Sequence, residues 1–267
     1  MYIVKSCNKE HNLKTTNSIR IGTLFGFREL ESLELRDELE GTFDFRIDIK
    51  KSEIPIEVFL YLYNGVFSSG APYYPYNCLT IPQNKNSAEG VMQGGNVQFI
   101  NGYVTVEDSS IKMRSLYHNC FVFCTSLISS LPTKPKFDGY DDFWYFKLKD
   151  ADKFLKKTQE EIKKVIIEKK LIIADGEFNH DLLTIKSSFN EIEYTPRYIF
   201  SNNINYKSLS SVIKSLENIV YTKPLNFKND EEFRFVFEIY YDNKPAIIRN
   251  EPIDIELGKD FVGDLLF

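Results

Sequence analysis

The sequence predicts an α+β fold, rich in strands and poor in helices. Three observations support this. Apolar residues alternate with polar ones along several short runs, the period of half-buried strands. A single stretch, 151–170, keeps its apolar residues at helical spacing. No repeat, low-complexity tract or heptad array breaks the pattern.

Met1 to Cys7 and Ile19 to Leu24 read as two short strands, separated by a polar segment in which Asn8, Asn12, Asn17 and Ser18 supply turn and capping residues. The charged run from Phe27 to Asp37 offers Leu30, Leu33 and Leu35 to a core and closes at Gly41, as a short helix or a structured loop. Alternation returns over 43–62, with Phe43, Phe45, Ile47 and Ile49 before a turn expected at Lys50–Pro55 and Ile56, Val58 and Leu60 after it. From 64 to 102, glycines and prolines punctuate a stretch rich in Tyr and Asn, so a loop-rich insertion is expected there, serving a substrate or merely connecting. Val97 to Val106 and Leu116 to Ser126 return to strand character, and Phe143 to Phe146 form a short strand after the loop marked by Pro132, Pro135 and Gly139.

Asp150 caps the helix 151–170, where Phe154, Leu155, Ile162, Val165 and Ile166 share a face and the lysines point outward. Beyond Gly176 follow strand segments at 182–185 and 190–194, a helix near 207–219, a strand at 232–241 and a final short strand at 246–249. With 267 residues, the chain suits a single domain, 1–267, carrying the insertion at about 64–102.

Hydrophobic residues make up 43% of the chain and aromatic ones 15%, which excludes a disordered composition. The net charge of −5 excludes a global basic field of the kind that draws proteins onto nucleic acid or anionic membranes. Cys7, Cys78, Cys120 and Cys124 form no Cys-x-x-Cys pair and read as reduced thiols. His11, His118 and His180 are scattered, so no metal is expected. With no leader pattern and no stretch near the roughly 20 apolar residues of a membrane span, a cytoplasmic protein without membrane contact is expected.

Three segments place a reactive polar group among apolar neighbours. In the extended run from 232, Phe233, Phe235 and Phe237 point to one face and Glu232 and Arg234 to the other, which holds Glu232 toward a cleft or solvent. The bland alternative is a Glu–Arg pair on an edge strand, worth little. Phe121 to Ser126 ends in Thr125 and Ser126, whose hydroxyls suit the end of a strand or a ligand. Arg20 opens an apolar strand beside Gly22, which permits close backbone approach, and an arginine fork bonds two phosphate oxygens at once. Arg28, Arg36 and Lys5 are alternatives for that role.

The run IRIGTLFGFRELESLELRDELEG, followed downstream by FVFCTS and then KPLNFKNDEEFRFVFE, resembles bacterial proteins with an ADP-ribosyltransferase-like fold, among them toxins of phage-defence and toxin–antitoxin systems. The resemblance implies split antiparallel sheets with flanking helices and an enzyme that uses NAD as substrate and needs no metal. It implies that Arg20, with Gly22, Lys5 and Arg28 nearby, contacts NAD, that Thr125 and Ser126 support the nicotinamide pocket, and that Glu232 bonds the nicotinamide ribose. The middle motif reads Cys124-Thr125-Ser126 where the class usually has Ser-Thr-Ser, and Asp230 stands where the class has its usual second acidic residue, two positions before the catalytic one. The acceptor implied is a macromolecule, with RNA or DNA favoured over protein, since Tyr73, Tyr74 and Tyr76 can stack on unpaired bases while the lysines of 153–170 follow phosphates. An antitoxin protein is the partner that such an enzyme implies. Two other readings stay open: a non-catalytic protein that grips a partner through the Tyr73–Tyr76 loop, and a glycoside hydrolase with paired carboxylates.

Overall fold

The computed structural model describes residues 1–29, 40–55, 67–68, 86–93, 96–173, 178–195, 198–201 and 218–266. Leu30, Leu33, Leu35, Arg36, Ile56, Val58, Leu60, Cys78 and the Tyr73–Tyr76 loop lie outside them, as does the span 202–217 on which most of the expected helix near 207–219 falls. The chain divides into two compact units, the first made of Met1–Glu40, Asn119–Ile192 and Phe227–Phe267, the second of Gly41–His118 and Glu193–Asn226.

The second unit is a twisted sheet around two long strands, β3 (Thr42–Pro55) and β7 (Tyr103–Tyr117). Its order is β13 (Tyr198–Ser201), β3, β7, β5 (Asn86–Gln93) and β4 (Phe67–Ser68), and β6 (Asn96–Ile100) also joins β7. No turn interrupts β3 at Lys50–Pro55. The antiparallel register with β7 runs through to Pro55 opposite Tyr103, and the charged residues that suggested a turn pair across it, Lys51 with Glu107 at 2.6 Å and Lys50 with Asp108 at 3.3 Å. Within the expected insertion the described residues are the strands β4, β5 and β6. The β6–β7 hairpin turns on Asn101 and Gly102, both at positive φ, the Asn-Gly pairing that a tight hairpin favours. Two short strands, β12 (Glu193–Thr195) and β14 (Thr222–Pro224), pair in parallel.

The first unit is built on an antiparallel sheet in the order β11 (Leu183–Glu191), β15 (Glu232–Tyr241), β8 (Phe121–Ile128), β1 (Tyr2–Cys7) and β9 (Asp142–Lys147). β2 (Ser18–Thr23) joins β8, β18 (Ile253–Glu256) joins β2, and β16 (Lys244–Pro245) joins β15. A short pair, β10 (Ile172–Ile173) with β17 (Ile247–Ile248), completes the strands. β11 runs through the gap between the expected segments at 182–185 and 190–194, because nine consecutive residues pair with β15 while Lys186 and Ser188 in its middle face water and mute the apolar alternation, and Glu193 and Tyr194 of the second segment belong to β12. The described helices of this unit are α1 (Leu13–Thr16), α2 (Ala151–Lys169) and α3 (Lys259–Leu265). Asp150 stands at the N-cap of α2 as expected, without a side-chain cap bond.

The phenylalanines of alternate positions unite the core. Phe121 and Phe123 of β8 and Phe233, Phe235 and Phe237 of β15 lie on one sheet face with Trp144 and Phe146 of β9, and α2 closes it with Phe154, Ile162 and Ile166. Phe154 meets Phe235 edge-on, with ring centroids 4.9 Å apart, and lies 5.1 Å from Phe146. The fold class is α+β with mostly antiparallel sheets. Among the described residues, no helix is long and apolar enough to cross a membrane.

Candidate functional site

The opposite face of β15 and β8 is polar, and it is buried. Every residue of β15 from Glu232 to Tyr240 is buried, so this is a central strand covered on both faces, not an edge. Glu232, Arg234 and Glu238 are each at most 6% exposed. Such charges remain inside only when paired. The Arg234 Nε donates to Glu232 at 2.8 Å, its Nη2 lies 2.7 Å from the same oxygen, and its Nη1 donates to Glu40 at 2.9 Å. Burial opposes the guanidinium charge, and the Glu232 and Glu40 carboxylates more than reverse that, holding Arg234 well above its ordinary value. Glu40 is positioned in turn by Arg28, whose Nε donates to the Glu40 carbonyl at 2.7 Å while its guanidinium lies 4.0 Å from the centre of the Phe25 ring.

The register places Ser126 directly opposite Glu232, and Cys124 opposite Arg234. The two hydroxyls of the Thr125-Ser126 end secure the start of β15: Thr125 Oγ1 donates to the Phe233 carbonyl at 2.7 Å and Ser126 Oγ to the Asp230 carbonyl at 2.9 Å. There the backbone of Glu231 adopts a left-handed φ of 45°, and its exposed carboxylate meets Lys136 Nζ at 2.5 Å.

The other edge of β8 divides. Gly22 and Thr23 of β2 pair with Val122 and Phe121, whereas Val4, Ile3 and Tyr2 of β1 pair with Ser126, Leu127 and Ile128, so the ladder passes over 123–125. Lys5 reaches into that interval. Its Nζ donates to the Cys124 carbonyl at 2.9 Å and stands 5.2 Å from the centre of the Phe123 ring. Burial lowers the Lys5 pKa, against the opposing pull of neighbours that include Glu232.

A pH dependence follows. The folded protein binds the Lys5 proton less tightly than the unfolded chain does, so its stability rises with pH through the window that ends near the ordinary value of 10.5. Lys5→Met is expected to flatten that rise, read as urea midpoints between about pH 8 and 10.5. Equal slopes in variant and wild type would place the amine in water instead.

Of the residues singled out from the sequence, Glu232 and Ser126 stand opposite each other across β15 and β8, Thr125 adjoins Ser126, Lys5 bonds the nearby Cys124 carbonyl, and Arg28 is linked to Arg234 through Glu40. Arg20 does not. Its side chain is 70% exposed and forms a fork-to-fork pair with Asp254 across β2 and β18, at 2.9 and 3.0 Å. The space beside Gly22 is filled by the Phe27 ring, whose Cε2 would lie 3.2 Å from an added Cβ. Glu40 and Lys136 were not singled out. Glu40 is one carboxylate in a run of charges, and only its position before Gly41 and the chain reversal sets it apart.

Cys7 and Cys120 are buried free thiols and Cys124 is half-buried, with burial as the main cause pushing Cys7 up to about 11. Among the described residues, no group of His, Cys, Asp and Glu has a metal-binding arrangement. His11 lies exposed beside Glu10, His118 stacks on Tyr117, and His180 is close to Phe178. Comparison of the chain with protein-family models, with curated proteins and with solved structures finds no match.

Proposed function

We propose that the protein is an ADP-ribosyltransferase, of the toxin kind, which cleaves NAD at the Glu232–Ser126 centre and passes ADP-ribose to a macromolecule. The observation that supports this reading is the pairing of Ser126 with Glu232 on the two central strands, at a point where β8 parts from one neighbour and the amine of Lys5 enters. The divided edge of β8 accords with the split sheets that the sequence resemblance implies. Breaking the nicotinamide–ribose bond builds positive charge on the anomeric carbon, and a carboxylate fixed against the ribose 2′-hydroxyl stabilises that charge more than it stabilises the ground state. Glu232 has this role, Arg234 and Glu40 orient it, and the hydroxyls of Thr125 and Ser126 fix the strand on which it sits.

The basic residue of the centre in this reading is Lys5, because the Arg20 guanidinium is engaged with Asp254. Lys5 acts through the main chain, fastening the Cys124 carbonyl and placing a positive charge beside Glu232. RNA or DNA is the favoured acceptor class over protein, anti-phage defence the setting, and an antitoxin protein the partner that keeps the producing cell alive.

The buried ion pair of Glu232 with Arg234 favours one other reading, a non-catalytic interaction protein in which this cluster serves the fold. Incubation with labelled NAD and separate pools of RNA, DNA and protein distinguishes them. Transfer is expected into one pool, with nicotinamide release falling about 100-fold or more in Glu232→Gln, which still accepts a hydrogen bond from Arg234. Release of no nicotinamide by the wild type would leave the interaction protein.

A further inference from the structure

Four lysines fall on one line along α2 and the short 3-10 turn Leu148–Asp150 before it: Lys149, Lys156, Lys163 and Lys170. Seven residues fall about 20° short of two helical turns, so side chains at that interval stay nearly in line while advancing about 10.5 Å at each step. The row covers on the order of 30 Å. All four lysines are exposed, and none has an ion-pair partner among the described residues. Other cations of the helix are engaged: Lys157 and Lys164 hold Glu161 at 2.6 and 2.8 Å, and Lys153 stands 3.9 Å from Asp264. By helical spacing Asp152 and Glu160 are the carboxylates that come nearest the row, and neither forms an ion pair with it. The span 149–170 holds eight lysines against five carboxylates in a chain of net charge −5, so this face is locally basic on an acidic protein.

The row does not face the Glu232–Ser126 centre. α2 packs Phe154, Ile162 and Ile166 on the phenylalanine face of the sheet, whereas Glu232 and Ser126 stand opposite each other on the other face. The helix, about 10 Å across with its side chains, and the sheet itself stand between them. We infer that this row is a docking site for duplex nucleic acid, held by its phosphate backbone and separate from that centre. A duplex is a rigid polyanion with one charge per about 1.7 Å of axis, and its turn of about 34 Å is close to the length of the row. The helix fixes the spacing of the lysines before any ligand arrives, which lowers the ordering cost of binding. Phe154 is the one aromatic residue in 149–170 and it is fully buried, so no ring interleaves the lysines as a platform for unpaired bases. That favours the duplex over a single strand. The apolar residues of α2 point into the core, which leaves none of the exposed apolar face by which a helix lies in a lipid interface.

The test is fluorescence anisotropy of the full chain with a random-sequence DNA duplex of about three turns, roughly 30 base pairs. Salt is varied from about 25 to 200 mM, and the logarithm of the affinity should fall with the logarithm of salt at a slope of up to about −3.6, about 0.9 for each lysine of the row. Lys156→Gln/Lys163→Gln is expected to shrink that slope by about 1.8 and to weaken binding at the lowest salt about tenfold or more, while glutamine retains the helix. Lys50→Gln/Lys51→Gln removes the same charge from β3, where both lysines are already paired, and is expected to change the affinity less than about twofold. Equal losses in the two double variants would show that net charge alone acts and would overturn the inference, as would a duplex affinity indifferent to salt. Binding of phosphatidylserine vesicles with none of the duplex would overturn it in favour of a lipid surface. Glu232→Gln is expected to bind the duplex as the wild type does, so the row stands or falls regardless of whether the protein releases nicotinamide from NAD.

Discussion

Replacing Arg234 with methionine is expected to cost about 3–5 kcal/mol of folding free energy, the largest effect of any single charge removal among the described residues. Arg234 is 1% exposed and serves two carboxylates, Glu40 at 2.9 Å and Glu232 at 2.7 Å. Methionine fills much of the volume, so packing changes little. What changes is that two buried carboxylates lose the guanidinium between them and repel each other out of reach of water. Native domains hold only about 5–15 kcal/mol in reserve, so the variant would be marginal at ambient temperature. Glu40→Gln is the informative companion. It retains an acceptor for Nη1 and relieves the excess of negative charge, so its loss should be well under that of Arg234→Met. The check is the urea midpoint at neutral pH, with the slope confirming that the folded state is unchanged. A loss below about 1 kcal/mol for Arg234→Met would mean that water reaches both carboxylates.

Phe235→Ala should cost a similar amount, about 3–5 kcal/mol, for a different reason. Phe235 is fully buried, with the rings of Phe154, Phe233 and Phe189 at 4.9, 5.4 and 5.6 Å. Its neighbours stand on three different elements, α2, β15 and β11, so no single shift of backbone refills the space. The truncation therefore loses both the burial of the ring and the contacts of a cavity that cannot collapse. Phe189→Ala, at the half-buried margin of the same cluster, is expected to lose less. Thermal unfolding of the two variants under one buffer measures the difference. Equal losses would show that the cluster relaxes as a whole.

What the sequence made legible follows from period. The alternation of Phe233, Phe235 and Phe237 revealed β15 and the side on which Glu232 lies, and the spacing of Phe154, Ile162 and Ile166 revealed α2. It did not reveal that the far side of β15 is also covered, because a strand with polar residues on one face reads the same whether water or protein lies beyond. That depends on partners brought from elsewhere in the chain: Glu40 reaches Arg234 across 194 positions and Lys5 reaches Cys124 across 119. The end of β3 was misread as a turn because the charged run Lys50 to Glu53 resembles one until Glu107 and Asp108 are set beside it. The neighbouring Gly22 put Arg20 ahead of Lys5 as the first-strand base, and the pairing of Arg20 with Asp254, 234 positions away, is not visible in that local pattern.

The position of β15 in the sheet also has a consequence in time. β8 hands a hydrogen bond from Thr125 to a residue 108 positions further along the chain. At about 5–20 residues per second, a nascent chain spends on the order of 5–20 s with that edge of β8 made and its partner not yet translated. During that interval an apolar strand rich in phenylalanine is open to any other extended chain. The ribosome-bound protein thus depends on whatever covers the edge of β8, and the polar cluster lacks Glu232 and Arg234 until β15 emerges. A cell that makes this protein meets an intermediate with an open strand edge first and the completed polar cluster only afterwards.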